Sequence, residues 1–75
     1  MKEHYEYLRE VTPKGQEFTV PEKVDELWPG LGYLDRRMRV ENIYDYLHKD
    51  EKWGKARKVG RKACGATRQT VWVIE

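Results

Sequence analysis

The chain has 75 residues, 39% of them hydrophobic and 37% charged, with a formal net charge of +2 at pH 7. That length allows one domain, residues 1–75, which buries only about 60–65% of its unfolded surface, so its three Trp and five Tyr must supply much of the core. A lone Cys64 excludes an internal disulfide and a Cys-rich zinc site, and no apolar run approaches the roughly 18 residues of a membrane span.

The N-terminus, Met1-Lys2-Glu3-His4-Tyr5-Glu6, lacks the charged start and apolar stretch of a signal peptide. A soluble intracellular protein is therefore expected, cytoplasmic and associated with the nucleoid if it binds nucleic acid. Tyr5, Leu8 and Val11 then recur at i, i+3 and i+6 and predict a short amphipathic helix, ended by Thr12-Pro13-Lys14-Gly15. Glu17-Phe18-Thr19 reads as a brief extended piece. Thr19 with Glu22 three residues on matches a capping box, with Pro21 in the first turn. The second helix carries Val20, Val24, Leu27 and Trp28 on one side, and Pro29-Gly30 stops it.

Leu31 to Leu34 reads as a connection, and Asp35 as the N-cap of a third helix running to about His48 or Asp50. Its core stripe is Val40, Ile43, Tyr44 and Leu47. Steps of about 100° per residue put Met38, Arg39, Asn42, Asp45 and Tyr46 on the solvent side. After the polar exit Lys49-Asp50-Glu51-Lys52, residues 53–74 form a two-stranded ribbon around the small-residue turn Ala63-Cys64-Gly65-Ala66. The ribbon's alternation is imperfect, which leaves its register open.

Charge divides the chain. Residues 1–35 hold four basic side chains against eight acidic ones, a net −4, and residues 36–75 hold eleven against five, a net +6. Between Trp53 and Ile74 there is no Asp or Glu at all. Charge blocks are often only solvated faces, but this one coincides with the elements best shaped to enter a groove.

The order helix, short strand, helix, turn, helix, strand, basic turn, strand resembles the winged helix-turn-helix superfamily over essentially the whole chain. The matching features are Phe18-Thr19-Val20-Pro21 leading into the second helix, Leu31-Gly32 at the turn, the Val40/Ile43/Leu47 stripe and the hairpin 53–74 as the wing. The resemblance implies an α+β fold of three helices and a small antiparallel sheet. It further implies double-stranded DNA as the partner, read by helix 35–48, with the wing on the backbone. The connection from Pro29 to Leu34 is longer and richer in Gly and Pro than the usual tight turn, which leaves the docking angle of the third helix open.

Carried onto these residues, Arg36, Arg37, Arg39, Asn42 and Tyr46 are the candidates for base contact, since Arg pairs with guanine and Asn with adenine edges. Arginines at a helix start oppose the helix dipole, which suggests an outside anion; the plain alternative is pairing with Asp35, Glu41 or the acidic first half. Lys55, Arg57, Lys58, Arg61, Lys62 and Arg68 need only reach phosphates. Trp28, Trp53 and Trp72 read as core, with base stacking as the other role for Trp53.

No spacing of His4, His48 and acidic residues resembles a metal set, and no phosphate-binding glycine loop is present. Cys64 among cations is a candidate reactive thiol, but no motif supports a Cys64–His48 pair. The expectation is a non-enzyme without cofactor: a small transcriptional regulator or an accessory factor in DNA transactions. A winged-helix protein adaptor and an RNA-binding module are the other readings. The acidic first helix, with Tyr5 and Tyr7, is the candidate surface for a homodimer or a protein partner.

Overall fold

A computed structural model describes residues 2–75, apart from the side chain of Cys64, so a role for that thiol falls outside the described residues. Along the chain run α1 (Lys2–Val11), β1 (Phe18–Thr19), α2 (Val20–Leu27), α3 (Tyr33–Lys52), β2 (Ala56–Cys64) and β3 (Thr67–Ile74). Three helices and a three-stranded antiparallel sheet of order β1-β3-β2 make an α+β domain. Among the described residues no helix is long and apolar enough to cross a membrane.

In α1 the inward residues are Tyr5 and Leu8, as their spacing predicts, but Val11 is 39% exposed and Thr12 takes the buried place at 3%. Four residues from Leu8 is closer to a full turn than three, and the Thr12 N–H still bonds the Leu8 carbonyl at 3.0 Å. The next helix starts where expected, with Thr19 in extended conformation and Pro21 in the first turn, yet Thr19 makes no side-chain cap hydrogen bond. Thr19 is buried in β1 with its hydroxyl unpaired, so the threonine half of the capping box does not form, and Glu22 pairs with Lys62 at 3.3 Å.

Helix α3 departs most from expectation. It begins at Tyr33 with Gly32 as its N-cap, not at Asp35, because the Arg36 N–H closes on the Gly32 carbonyl at 2.9 Å. Asp35 lies inside the first turn, where its charge suits the helix dipole. The helix also runs on to Lys52. It stops in a Schellman closure, in which the Lys55 N–H reaches the Asp50 carbonyl (2.8 Å) and the Gly54 N–H the Glu51 carbonyl (3.2 Å). Gly54 has the positive φ of 73° that this closure requires.

The hairpin therefore begins at Ala56 rather than Trp53. Its register pairs Ala56 with Ile74, Lys58 with Trp72 and Cys64 with Thr67, and shifts between Lys58 and Gly60. That bulge reverses the parity of the strand, which is why no single alternation runs through it. The two-residue turn Gly65-Ala66 has positive φ at Gly65 only, the pattern of a type II′ turn.

One core joins these elements. Ile43 and Leu47 of α3, Val20 and Val24 of α2, Tyr5 and Leu8 of α1 meet Phe18, Ala56, Trp72 and Ile74 from the sheet. The Tyr5 hydroxyl donates to Asp50 at 2.7 Å, and Arg9 pairs with the same carboxylate at 3.4 Å, which ties α1 to the end of α3. Leu47→Ala is expected to lower the unfolding free energy by about 2–5 kcal/mol in urea denaturation, while Val11→Ser stays within about 0.5 kcal/mol. A Leu47→Ala loss under about 1 kcal/mol would contradict this core.

Candidate nucleic-acid interface

The arginines at the start of α3 all have partners. Arg36 holds Asp25 of α2 with two hydrogen bonds, Nε to Oδ1 at 2.6 Å and Nη2 to Oδ2 at 3.0 Å. These bonds hold the Asp25 carboxyl below its ordinary range and raise the Arg36 guanidinium. Arg37 meets Glu41 one turn on at 3.4 Å, and the Arg39 guanidinium lies 4.8 Å from the Trp28 ring centroid. Arg36 and Arg39 thus fix α3 against α2.

Asn42 and Tyr46 are not on the solvent side. Asn42 is half-buried, and its Oδ1 is enclosed without a hydrogen-bond partner. Tyr46 packs against the core and stacks on Tyr5, with centroids 5.6 Å apart and planes 12° apart. Tyr46 thus lies against α1, and Asn42 lies on the same flank of α3, facing the cleft that α1 borders. The open line of the helix is Leu34, Arg37, Met38, Glu41 and Asp45. Tyr33, Leu34 and Met38 form an exposed apolar group at its start. Tyr33 and Leu34 read as connection in the sequence, so only their place in the first helical turn reveals them.

Between α1 and α3 a cleft of about 170 Å³ is lined by His4, Asp35, Met38, Arg39 and Asn42. His4 packs edge-on against Trp28 at 5.6 Å. Burial, and then the charge of Arg39, lower its pKa from the ordinary 6.5. Tyr5 cannot serve as a docking residue because it is only 4% exposed, whereas Tyr7 is open to solvent beside Trp28. The surface expected on α1 therefore shrinks to Tyr7 and the exposed acids Glu3, Glu6 and Glu10.

The hairpin cations fall into two groups. Arg57 pairs with Glu75 at 2.6 Å, Lys58 with Glu51 at 3.6 Å, and Lys62 with Glu22 at 3.3 Å. Lys58 also lies 5.5 Å from the Trp72 ring centroid. Lys55, Arg61 and Arg68 are exposed and have no ion-pair partner among the described residues. Arg61 and Lys62 on β2 stand opposite Thr70 and Gln69, and Arg68 on β3 opposite Ala63, so the three charges surround the turn. Trp28 and Trp72 pack as expected, but Trp53 does not: it is 79% exposed. It sits at the C-cap of α3, and the Schellman closure carries the chain away from it.

Among the described residues no cluster of three or more His, Cys, Asp or Glu is placed to hold a metal ion. Comparison with known proteins finds no matching family, no curated relative and no similar solved structure.

The environment of His4 has a measurable consequence. Its NMR titration midpoint is expected below 6.5, and Arg39→Gln should move it upward. Folding favours the neutral imidazole, so its contribution to stability is fully present above 6.5 and is lost as pH falls through the folded midpoint. A midpoint at or above 6.5 would contradict this packing.

Proposed function

We propose that the protein is a winged-helix domain that binds double-stranded DNA mainly through the phosphates, with the β2–β3 hairpin as its wing. The observation that carries this reading is the tip of the hairpin. Arg61 and Arg68 are exposed and without acidic partners among the described residues, Lys62 lies beside them, and no acid occurs between residues 53 and 74. The element order, with three helices and a small antiparallel sheet, is compatible with the winged-helix resemblance. Surface pairs such as Lys62–Glu22 contribute little in water, about 0–1 kcal/mol, and can exchange for a phosphate.

Base readout is expected to be weak. Arg36 and Arg39 are engaged with α2 and its C-cap, Tyr46 is stacked on Tyr5 of α1, and Asn42 is half-buried in the cleft beside α1. Arg37 alone of the five lies on the open line of α3. Such a domain would suit an accessory or architectural role in DNA transactions, inside the compartment that holds the DNA. The exposed group Tyr33, Leu34 and Met38 favours a second reading, a protein adaptor that docks through the start of α3.

Fluorescence anisotropy with a mixed-sequence duplex tests the DNA reading. About three phosphate contacts predict a slope near −3 for log K against log salt. Arg61→Gln with Arg68→Gln should reduce that slope by about 2 and weaken all sequences alike. Duplex binding that is absent at low salt, or unaffected by the double variant, would overturn this assignment and favour the adaptor.

A further inference from the structure

Trp53 contributes nothing to the core, being 79% exposed, yet its backbone is pinned. Its N–H donates to the Asp50 carbonyl at 3.1 Å, and the two bonds of the Schellman closure follow it directly. The Lys55 carbonyl then accepts the Glu75 N–H at 3.0 Å. An aromatic ring held in solvent on a fixed turn can stack on a ligand with little ordering of the chain.

The charge around the ring is positive. The nearby acids are already matched, Asp50 by Arg9, Glu51 by Lys58 and Glu75 by Arg57. Lys52 and Lys55, which flank Trp53 in the chain, are exposed and have no ion-pair partner among the described residues. From this turn β2 runs as an edge strand to the hairpin tip, a distance of about 30 Å for its nine residues. It carries Arg57, Lys58, Arg61 and Lys62, all exposed. Arg57, Lys58 and Lys62 stand in surface pairs that can exchange for a phosphate, and Arg61 has no ion-pair partner among the described residues. Cations on an edge strand guard against edge-to-edge pairing, but that role requires no exposed tryptophan at the end of the row.

We propose that Trp53 and the edge strand β2 form a track for an unpaired nucleic-acid strand continuous with a duplex held at the hairpin tip. Trp53 stacks on a base, and the cations of the strand follow the phosphates, the combination by which proteins hold single strands. The proposal rests on the DNA reading above and sharpens its target to a junction between paired and unpaired strands.

The test compares a labelled flush duplex with the same duplex carrying about eight unpaired thymidines at one end, in both polarities. One polarity is expected to bind about tenfold tighter than the flush duplex, the effect of one stacked base. Trp53→Ala should abolish that gain, leaving flush-duplex affinity and the unfolding midpoint unchanged, and Trp53→Phe should keep most of it. Equal affinity for flush and extended duplexes, or a gain that survives in Trp53→Ala, overturns the track while leaving the duplex reading intact. Trp53-dependent binding to the extension alone, with no flush-duplex binding, overturns the duplex reading and supports the track. Trp53-dependent binding to phosphatidylserine vesicles with no gain from the extension overturns the track and assigns the ring to a lipid surface.

Discussion

The packing of Trp72 at the centre of the sheet sets the geometry of everything functional in this domain. β3 is the middle strand, and Trp72 stands opposite Phe18 of β1 on one side and Lys58 of β2 on the other. His48 of α3 meets its ring edge-on at 5.5 Å. Val71 to Ile74 are buried, whereas Thr67 and Arg68 at the other end of the same strand are exposed. The base of the hairpin is thus locked into the core, and its outer half projects beyond it. Four buried residues fix where the basic tip is held, and the tip makes no contribution to the core that a ligand would have to displace.

Charge is distributed along the same division. Arg36 with Asp25 joins α2 to α3, Arg9 with Asp50 joins α1 to α3, and Lys62 with Glu22 braces the hairpin against α2. Two of these pairs set an acid of the first half, Asp25 or Glu22, against a cation of the second. Exposed cations without an ion-pair partner among the described residues, Arg61 and Arg68 near Gly65 and Lys52 and Lys55 beside Trp53, gather at the two ends of β2. A net charge of +2 gives no hint of this, because the balance is struck between elements.

The helices and strands were largely legible because each rests on a local cause. The i, i+3, i+4, i+7 stripe of Val40, Ile43, Tyr44 and Leu47 does face the core, and Pro21 does mark the start of α2. The departures rest on interactions that local pattern does not contain. Gly32 caps α3 because its carbonyl is in the right place for the Arg36 N–H, although Asp35 is the better cap by residue type. Thr19 and Glu22 have the spacing of a capping box, but the Thr19 hydroxyl is buried at the sheet and makes no cap bond. Asn42 and Tyr46 lie away from the stripe, yet α1 packs along that flank, stacking on Tyr46 and bordering the cleft that Asn42 lines. Only tertiary packing decides which flank has a neighbour. The bulge between Lys58 and Gly60 hid the strand register for the same reason. Trp53 is the reverse case: an aromatic residue that composition assigns to the core is left outside by the way α3 ends.

The central claim is that the projecting tip of the hairpin, rather than the middle of α3, meets the polyanion. An isotope-labelled protein titrated with a mixed-sequence duplex at low salt, followed by amide chemical shifts, tests it most directly. The account predicts shifts concentrated from Gly60 to Arg68, a smaller response near Arg37, and little change at Asn42 and Tyr46. Shifts confined to Tyr33–Met38 or to the acidic face of α1, or none at all, would contradict it.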